Sequence, residues 1–195
     1  SDPNVQWVRL GDVLRAPVRV CFVCSGNICR SPTAEVVLKR LAAQADQSDL
    51  VTITSAGTGD WHAGDDMDTR SRDTLVQAGY DVERHVARQF RSADFDDQDL
   101  VVALDAGHWG VLWWLAVETD DAEAARAKIH MLRDFDPQSR PGESRDVADP
   151  YYGNDGGFLE VLEQVERSCA ELLAAISRAV AAGADRIQQT ERPPR

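Results

Sequence analysis

Cysteine is scarce in this sequence. Its 195 residues include only Cys21, Cys24, Cys29 and Cys169, far fewer than a small secreted domain held together by disulfides would carry. Three of the four lie within nine positions of each other, which indicates chemistry rather than covalent stabilisation. The four histidines are scattered and lack the spacing typical of zinc ligands. The sequence therefore predicts no metal site, and no cofactor is expected.

Long apolar runs are also missing. No stretch approaches the roughly 20 apolar residues that a membrane-spanning helix needs. The first fifteen residues lack the uninterrupted apolar core of a signal peptide. We therefore expect a cytoplasmic protein without a membrane partner.

Positive charge is in the minority. Lysine and arginine together number 21 against 33 aspartates and glutamates, which gives a formal charge of −12. Sequence-independent nucleic-acid binding depends on neutralising phosphates, so no nucleic-acid partner is expected. The chain is 43% hydrophobic and 28% charged, which excludes a wholly disordered chain and is typical of a globular protein.

Four short runs of apolar and β-branched residues predict strands. Between and after these runs, apolar residues recur at helical spacing. The runs are Val18–Val23, Val51–Ser55, Leu100–Leu104 and Lys128–Leu132. Alternating strands and helices predict an α/β fold, a single-domain three-layer architecture with a central four-stranded parallel sheet and helices on both faces. We expect residues 1–16 to form a flexible N-terminal extension, 17–185 the folded domain and 186–195 a disordered tail.

Apolar spacing predicts two of the helices. Ala34, Val37, Leu38 and Leu41 recur at helical spacing in the first, and the stripe of the last long helix contains Phe158, Leu162, Val165, Cys169, Leu172 and Ile176. Cys169 on that stripe, and Cys21 inside the first strand, are interpreted as small buried hydrophobes. Trp109, Trp113 and Trp114 surround one helical turn, so at least one of them should be exposed.

The segment after the first strand carries the chemistry. Cys24–Arg30 joins a strand end to a helix N-terminus, for which Ser31 is predicted as N-cap and Pro32 as the first helical residue. Unpaired N–H groups and the helix dipole make such a loop an anion nest, and Gly26 supplies conformational freedom for its curl. Cys24 in that field should be largely thiolate, and Arg30 offers a fork of donors to a phosphoryl group. The pattern predicts attack of sulfur on a phosphate monoester.

These motifs resemble those of the low-molecular-weight protein tyrosine phosphatases. CSGNICRSP at 24–32 is similar to that family's phosphate loop, and DPYYG at 149–153 to its general-acid loop. TSAGTGDWHAG at 54–64 and HVARQF at 85–90 are also similar to segments of that family. The resemblance runs from about Val18 to the final helix. Lys39 and Lys128 are the only lysines, and all other basic residues counted are arginines. This arginine-rich composition also indicates a GC-rich bacterial source.

The resemblance implies a role for individual residues. Cys24 becomes the nucleophile of a phosphocysteine mechanism, Arg30 the phosphoryl-binding side chain, and Asp149 the general acid and then base. The phosphate-binding residues become Ser25, Gly26, Asn27, Ile28, Cys29 and Arg30. Asn27, Ser31, Ser55 and His85 match positions that support the loop, and Trp61, Tyr151 and Tyr152 match the aromatic walls of a cleft for phosphotyrosine proteins or peptides. A monomer is expected, although the sequence leaves the oligomeric state open.

Some alternatives stay open at this stage. Cys29 matches a loop cysteine that can pair reversibly with the nucleophile, or it packs beneath the loop without a redox role. A thioredoxin-coupled arsenate reductase shares the loop pattern but needs further cysteines downstream, where only Cys169 is present. A silent phosphotyrosine-binding module would be expected to have lost Cys24, Arg30 or Asp149, and all three are present.

Overall fold

The computed structural model describes residue 10, residues 14–153 and residues 155–190, with only the backbone described at 155 and 186–190. The strands are β1 (Val18–Cys24), β2 (Val51–Gly57), β3 (Leu100–Ala103) and β4 (Ile129–Met131). The helices are α1 (Arg30–Gln44), α2 (Thr69–Gln77), α3 (Asp94–Asp97), α4 (Ala106–Leu115), α5 (Ala122–Ala127) and α6 (Asp155–Thr190). Short 3-10 helices occupy Ser48–Leu50, Ala116–Glu118 and Leu132–Phe135.

All four strands are parallel and lie in the order β2-β1-β3-β4. The predicted α/β fold is therefore confirmed, with element boundaries shifted by one or two residues. β1 and β3 are buried along their length, except for the half-buried Arg19, as their nearly continuous apolar sequences predict.

Helices cover both faces of the sheet. One core contains Val20 and Phe22 of β1, together with the buried sides of α1 and α6. The other contains Cys21 and Val23, which point to the opposite face, together with residues of α4 and α5. The apolar stripe predicted for the last helix is buried throughout, and Cys21 and Cys169 are fully buried as expected.

The ends of the chain lie partly within the described residues. Leu10, from the predicted N-terminal extension, is buried in the core beside α6 residues, and Leu14 packs against the same core. Residues 1–9 and 11–13 lie outside the described residues. α6 continues to Thr190, five residues into the predicted tail, and 191–195 are not described.

The tryptophan-rich segment forms α4. Trp109 and Trp113 are partly buried and stack with ring centroids 4.6 Å apart, whereas Trp114 is 74% exposed. The expectation that at least one indole is exposed is therefore confirmed. No helix among the described residues is long and apolar enough to cross a membrane.

Candidate active site

The segment Cys24–Arg30 leaves the carboxyl end of β1 and curls into the start of α1. Five of its backbone carbonyls accept hydrogen bonds from groups outside the curl, at 2.7–3.2 Å. The bonds are Thr58 N to Cys24 O, Gly59 N to Ser25 O, His85 Nε2 to Asn27 O, Asp68 N to Ile28 O, and Thr33 N to Cys29 O.

These outward carbonyls orient the N–H groups of the loop. In a trans peptide the C=O and the following N–H point in opposite directions. The N–H groups that follow the five carbonyls therefore point into the loop, where they form an anion nest. They belong to Ser25, Gly26, Ile28, Cys29 and Arg30, five of the six residues predicted to bind phosphate. The Asn27 N–H, the sixth, is not oriented by a bond of this kind.

Asn27 shapes the curl. Its φ of 58° lies in the left-handed region, whereas Gly26, which is predicted to give the curl its conformational freedom, does not take a positive φ. Asparagine tolerates this region, and its side chain is fully used here. Nδ2 donates to Ser31 Oγ at 2.8 Å and Ser55 Oγ at 3.0 Å, and Oδ1 accepts from Arg88 N at 3.1 Å.

Gly26 leaves space for a neighbouring side chain. A Cβ at this position would lie 2.8 Å from His62 Cδ2, so the missing side chain makes room for the His62 ring above the loop.

Two further residues complete the support of the loop. Ser55 Oγ donates to Glu35 Oε2 at 2.7 Å, which fixes the hydroxyl that faces Asn27. His85 binds the Asn27 carbonyl through Nε2, and its Nδ1 lies 3.9 Å from the same Glu35 carboxylate. Asn27, Ser31, Ser55 and His85 thus lie together around the loop.

Ser31 faces the sulfur instead of capping the helix. α1 begins at Arg30 with Cys29 as N-cap and no side-chain cap, so the predicted N-cap is wrong. Ser31 Oγ lies 2.9 Å from Cys24 Sγ and 3.3 Å from the Ala56 carbonyl oxygen, and it accepts from Asn27. A hydroxyl has one proton, so it can donate to the sulfur when Cys24 is a thiolate and to Ala56 when Cys24 is a thiol.

Arg30 is buried at the inner side of the loop. Its Nη1 donates to Asp105 Oδ2 at 2.8 Å and to the Val147 carbonyl at 3.0 Å. Burial opposes ionisation of Asp105, but the His108 N–H and the charged Arg30 outweigh it and hold the pKa of that carboxyl below its ordinary value. Sequence reasoning did not assign Asp105 this role. The available signal was its position directly after a buried strand, at the carboxyl edge where sites in parallel sheets form.

Asp149 lies at the mouth of the cleft. Its Oδ2 is 3.5 Å from Arg30 Nη2, its Oδ1 accepts from the Tyr151 N–H at 3.1 Å, and its side chain is half exposed. Arg70 fixes the same turn, since Nη1 donates to the Tyr151 carbonyl at 3.0 Å and the guanidinium lies over the Tyr151 ring. Sequence reasoning did not predict this role for Arg70, because none of the four motifs includes it.

The cleft above the loop has a volume of about 470 Å³. Trp61, Tyr151 and Tyr152 line it as the resemblance implies, and His62, which was not predicted, contributes a further ring. Tyr151 and Tyr152 meet edge to face at 4.9 Å, and Tyr152 is 93% exposed. Cys24, at the base, is only 3% exposed and lines this cleft.

The cysteines of the site are unpaired, and no metal cluster is found. Cys24 and Cys29 are both free thiols. Burial raises the pKa of the Cys29 thiol to about 12. Within the described ranges, no group of three histidine, cysteine or acidic side chains could hold a metal ion.

Comparison with known proteins gives consistent matches. Residues 19–182 match the family model of the low molecular weight phosphotyrosine protein phosphatases. A low molecular weight protein-tyrosine-phosphatase of Streptomyces coelicolor is 49% identical over 162 residues, which cover 83% of this chain and 95% of that protein. Low molecular weight protein-tyrosine phosphatase A of Mycobacterium tuberculosis is 41% identical over 150 residues, covering 77% and 86%. The crystal structure of YfkJ from Bacillus subtilis is similar with a TM-score of 0.74 and 34% identity, covering 86% of this chain and 98% of that one.

Proposed function

The chain belongs to the low molecular weight phosphotyrosine protein phosphatase family, and we propose that it hydrolyses phosphotyrosine with Cys24 as nucleophile, Arg30 as phosphoryl-binding side chain and Asp149 as general acid and base. One observation carries these assignments. Cys24 Sγ lies at the base of a loop with five inward N–H groups, and Arg30 and Asp149 flank the same cleft.

The first step transfers the phosphoryl group to sulfur. The Cys24 thiolate attacks phosphorus, the S–P bond forms, and the P–O bond to the tyrosine ring breaks. The Asp149 carboxyl gives its proton to the departing phenolate oxygen. The loop N–H groups and the Arg30 guanidinium stabilise the charge on the three equatorial phosphoryl oxygens.

The second step regenerates the enzyme. Water attacks the phosphocysteine, and the Asp149 carboxylate, now unprotonated, takes a proton from that water. The S–P bond breaks and inorganic phosphate leaves. Ser31 Oγ, 2.9 Å from the sulfur, can donate a hydrogen bond to the departing thiolate in place of its longer bond of 3.3 Å to the Ala56 carbonyl.

The walls of the cleft favour an aryl phosphate. Trp61, Tyr151 and Tyr152 present aromatic surface to a phenyl ring, and the sulfur lies at the buried end of the cleft. A phenyl ring holds its phosphate far enough from the peptide backbone to reach that depth. The shorter side chain of phosphoserine does not.

The two alternative functions are not favoured. The arsenate reductase chemistry needs a resolving thiol, and the only downstream cysteine, Cys169, is fully buried on α6. Burial also raises the pKa of Cys169 above its ordinary value, which further disfavours attack by that sulfur. A non-catalytic binding module would not need Asp149 beside the phosphoryl-binding Arg30.

Phosphotyrosine proteins are the substrates that family membership implies. We further propose a monomer acting in the cytoplasm, with residues 17–185 as the phosphatase domain and no nucleic-acid or membrane partner. The four cysteines are far fewer than a disulfide-stabilised secreted domain would carry, which supports this compartment, and the charge of −12 disfavours binding to phosphate backbones.

Hydrolysis of a phosphotyrosine peptide and of an aryl phosphate tests the catalytic assignment. Cys24→Ser should abolish turnover but still bind inorganic phosphate, because the loop N–H groups and Arg30 remain. Cys169→Ala, a matched change of a cysteine outside the site, should retain activity. Residual turnover above a few per cent in Cys24→Ser would remove the sulfur from the mechanism, whatever the substrate.

A further inference from the structure

His108 occupies a position in the site that neither the mechanism nor the family motifs account for. It lies in the first turn of α4, where the Asp105 side chain accepts from its backbone N–H, and it is only 3% exposed. Its Nε2 is 2.9 Å from Ser25 Oγ and 3.3 Å from Arg30 Nη2. The imidazole thus joins the start of α4 to one residue of the loop and to the phosphoryl-binding arginine.

The neighbours of the ring determine where its proton lies. Arg30 can only donate hydrogen bonds, so the Nε2 that faces it presents a lone pair. Nδ1 lies 3.3 Å from Asp105 Oδ1 and has no hydrogen bond with good geometry among the described residues. An anionic oxygen at that distance favours a proton on Nδ1. The neutral tautomer with hydrogen on Nδ1 satisfies both neighbours.

The charges around the ring also favour the neutral form. Burial and the positive Arg30 lower the pKa of His108 to about 4, although Asp105, Asp149 and Asp146 act in the opposite direction. At neutral pH the ring is therefore an acceptor at Nε2. Because the Ser25 hydroxyl lies nearest to that lone pair, it donates its hydrogen bond to His108 Nε2.

Building on the proposed phosphatase function, we propose that His108 is a positioning residue whose Nε2 acceptor holds the Ser25 hydroxyl and one nitrogen of Arg30 in place before substrate binds. Asp105 and the Val147 carbonyl accept hydrogen bonds from Nη1 of the guanidinium, and His108 Nε2 lies 3.3 Å from Nη2. The same acceptor tethers the second residue of the loop to α4. His108 does not touch the reacting atoms and acts through Ser25 and Arg30.

Two amide variants separate this role from simple packing. In His108→Gln, the amide oxygen can reach the place of Nε2 and accept a hydrogen bond there without titrating. In His108→Asn, the shorter side chain reaches only the place of Nδ1. Both variants remove the ring and its packing, so a merely structural role predicts similar losses in the two.

The test compares the full-length wild type, His108→Gln and His108→Asn. We measure kcat/KM for an aryl phosphate, the inhibition constant of inorganic phosphate and the free energy of unfolding. A lost hydrogen bond to a charged group corresponds to about tenfold or more. We therefore expect His108→Asn to lower kcat/KM and phosphate affinity about tenfold, and His108→Gln to stay within about threefold of wild type. Equal losses in the two variants, or no loss in either, overturn the proposal.

A measurement on the wild type keeps the proposal testable if a variant folds poorly. Nitrogen-15 NMR distinguishes a protonated from an unprotonated imidazole nitrogen. We expect the His108 signals near neutral pH to show hydrogen on Nδ1 and none on Nε2, and a proton on Nε2 would refute the assignment. Wild-type hydrolysis and its loss in Cys24→Ser test the proposed function separately, so failure of one claim is distinguishable from failure of the other.

Discussion

Asn27 shows how the side chain of one residue shapes the loop that is proposed to bind phosphate. A left-handed conformation costs a non-glycine residue of order 1 kcal/mol. Three hydrogen bonds made by its side chain, to Ser31, Ser55 and Arg88, offset that cost. His85 holds the carbonyl of the same residue outward. The curl is therefore held in shape by hydrogen bonds to the surrounding side chains.

His108 predicts a particular pH dependence of stability. Its pKa is about 4 in the folded protein and near 6.5 when unfolded. Above pH 6.5 the His108 ring is neutral in both the folded and the unfolded chain, so its protonation does not reduce the free energy of unfolding. As the pH falls from 6.5 to 4, the unfolded chain gains a proton that the folded one does not, so stability is lost, by up to about 3 kcal/mol.

Urea unfolding at pH 7 and pH 4.5 measures this loss. His108→Gln cannot titrate, so its free energy of unfolding should fall less between the two pH values than that of wild type. Burial also lowers the pKa of His130, but this and the carboxylates that do not contact His108 act equally in both proteins and cancel in the difference. Parallel losses in wild type and variant would contradict the assignment.

Cys29 predicts how the site responds to oxidation. If peroxide converts Cys24 to a sulfenic acid, condensation with the Cys29 thiol gives a disulfide and releases water. Burial raises the pKa of Cys29 to about 12, so little attacking thiolate is present at neutral pH and closure should be slow. The disulfide should therefore form faster as the pH rises.

Recovery of activity with dithiothreitol after timed peroxide exposure is the measurement. Wild type should recover almost fully, whereas Cys29→Ser should lose recoverable activity progressively as Cys24 oxidises further. Each protein is scored against its own untreated activity, with Cys169→Ala as the matched cysteine control. Identical recovery in wild type and Cys29→Ser would mean that Cys29 only packs beneath the loop.

At the scale of elements, the end of β2 determines how closely the loop approaches the sheet. A methyl group on Gly57 would lie 2.5 Å from the Ser25 carbonyl oxygen and 3.2 Å from the Asn27 nitrogen, both backbone atoms that cannot rotate away. Gly57→Ala should therefore displace the loop and lower kcat/KM at least about tenfold, by misplacing donors that stabilise the transition state. Gly110→Ala on α4 provides the control.

Gly110 meets nothing within 4 Å of an added Cβ. Alanine there should leave kcat/KM unchanged and stabilise the helix by up to about 1 kcal/mol. Steady-state kinetics and urea unfolding of the two alanine variants test the pair. Full activity in Gly57→Ala would show that the loop tolerates displacement by the strand.

Elements with strong local patterns could be predicted from the sequence, and contacts between distant segments could not. The buried strands and the α6 stripe follow from apolar spacing, and Cys24, Arg30 and Asp149 follow from motifs. The predicted cap at Ser31 was wrong because tertiary partners, Cys24 and Asn27, compete for its hydroxyl. The bonds from Arg30 to Asp105 and His108 join residues 75 and 78 positions apart, and no local pattern encodes such pairing.

At the scale of the whole molecule, the acid loop is held to the phosphate loop from two sides. On the side of the phosphate loop, Arg30 Nη1 donates to the Val147 carbonyl at 3.0 Å. From the other side, buried Asp136 pairs with Arg167 of α6 and with Arg133, which in turn donates to the Asp146 carbonyl at 2.9 Å. The position of Asp149, the proposed general acid, therefore depends on the packing of α6 as well as on its own turn.

This arrangement predicts how the rate depends on the leaving group. A poor leaving group carries more negative charge in the transition state and needs the proton from Asp149 more, and general acids contribute about 10²–10⁴-fold. Asp149→Ala should slow phosphotyrosine hydrolysis by about 100-fold or more and nitrophenyl phosphate hydrolysis much less. Asp146→Ala removes a carboxylate three positions away whose Oδ1 accepts from Ala106 N, and it should keep the wild-type pattern.

The phosphorylation rate is measured for aryl phosphates of increasing leaving-group pKa. In wild type and Asp146→Ala the rate should depend weakly on that pKa, because a proton donor neutralises the departing oxygen. In Asp149→Ala it should fall steeply, because the oxygen leaves as an anion. Equal slopes in all three would exclude Asp149 as the acid. Asp105 is a poor replacement, since the His108 N–H and the Arg30 guanidinium, 2.8 Å from its carboxylate, lower its pKa and keep it ionised.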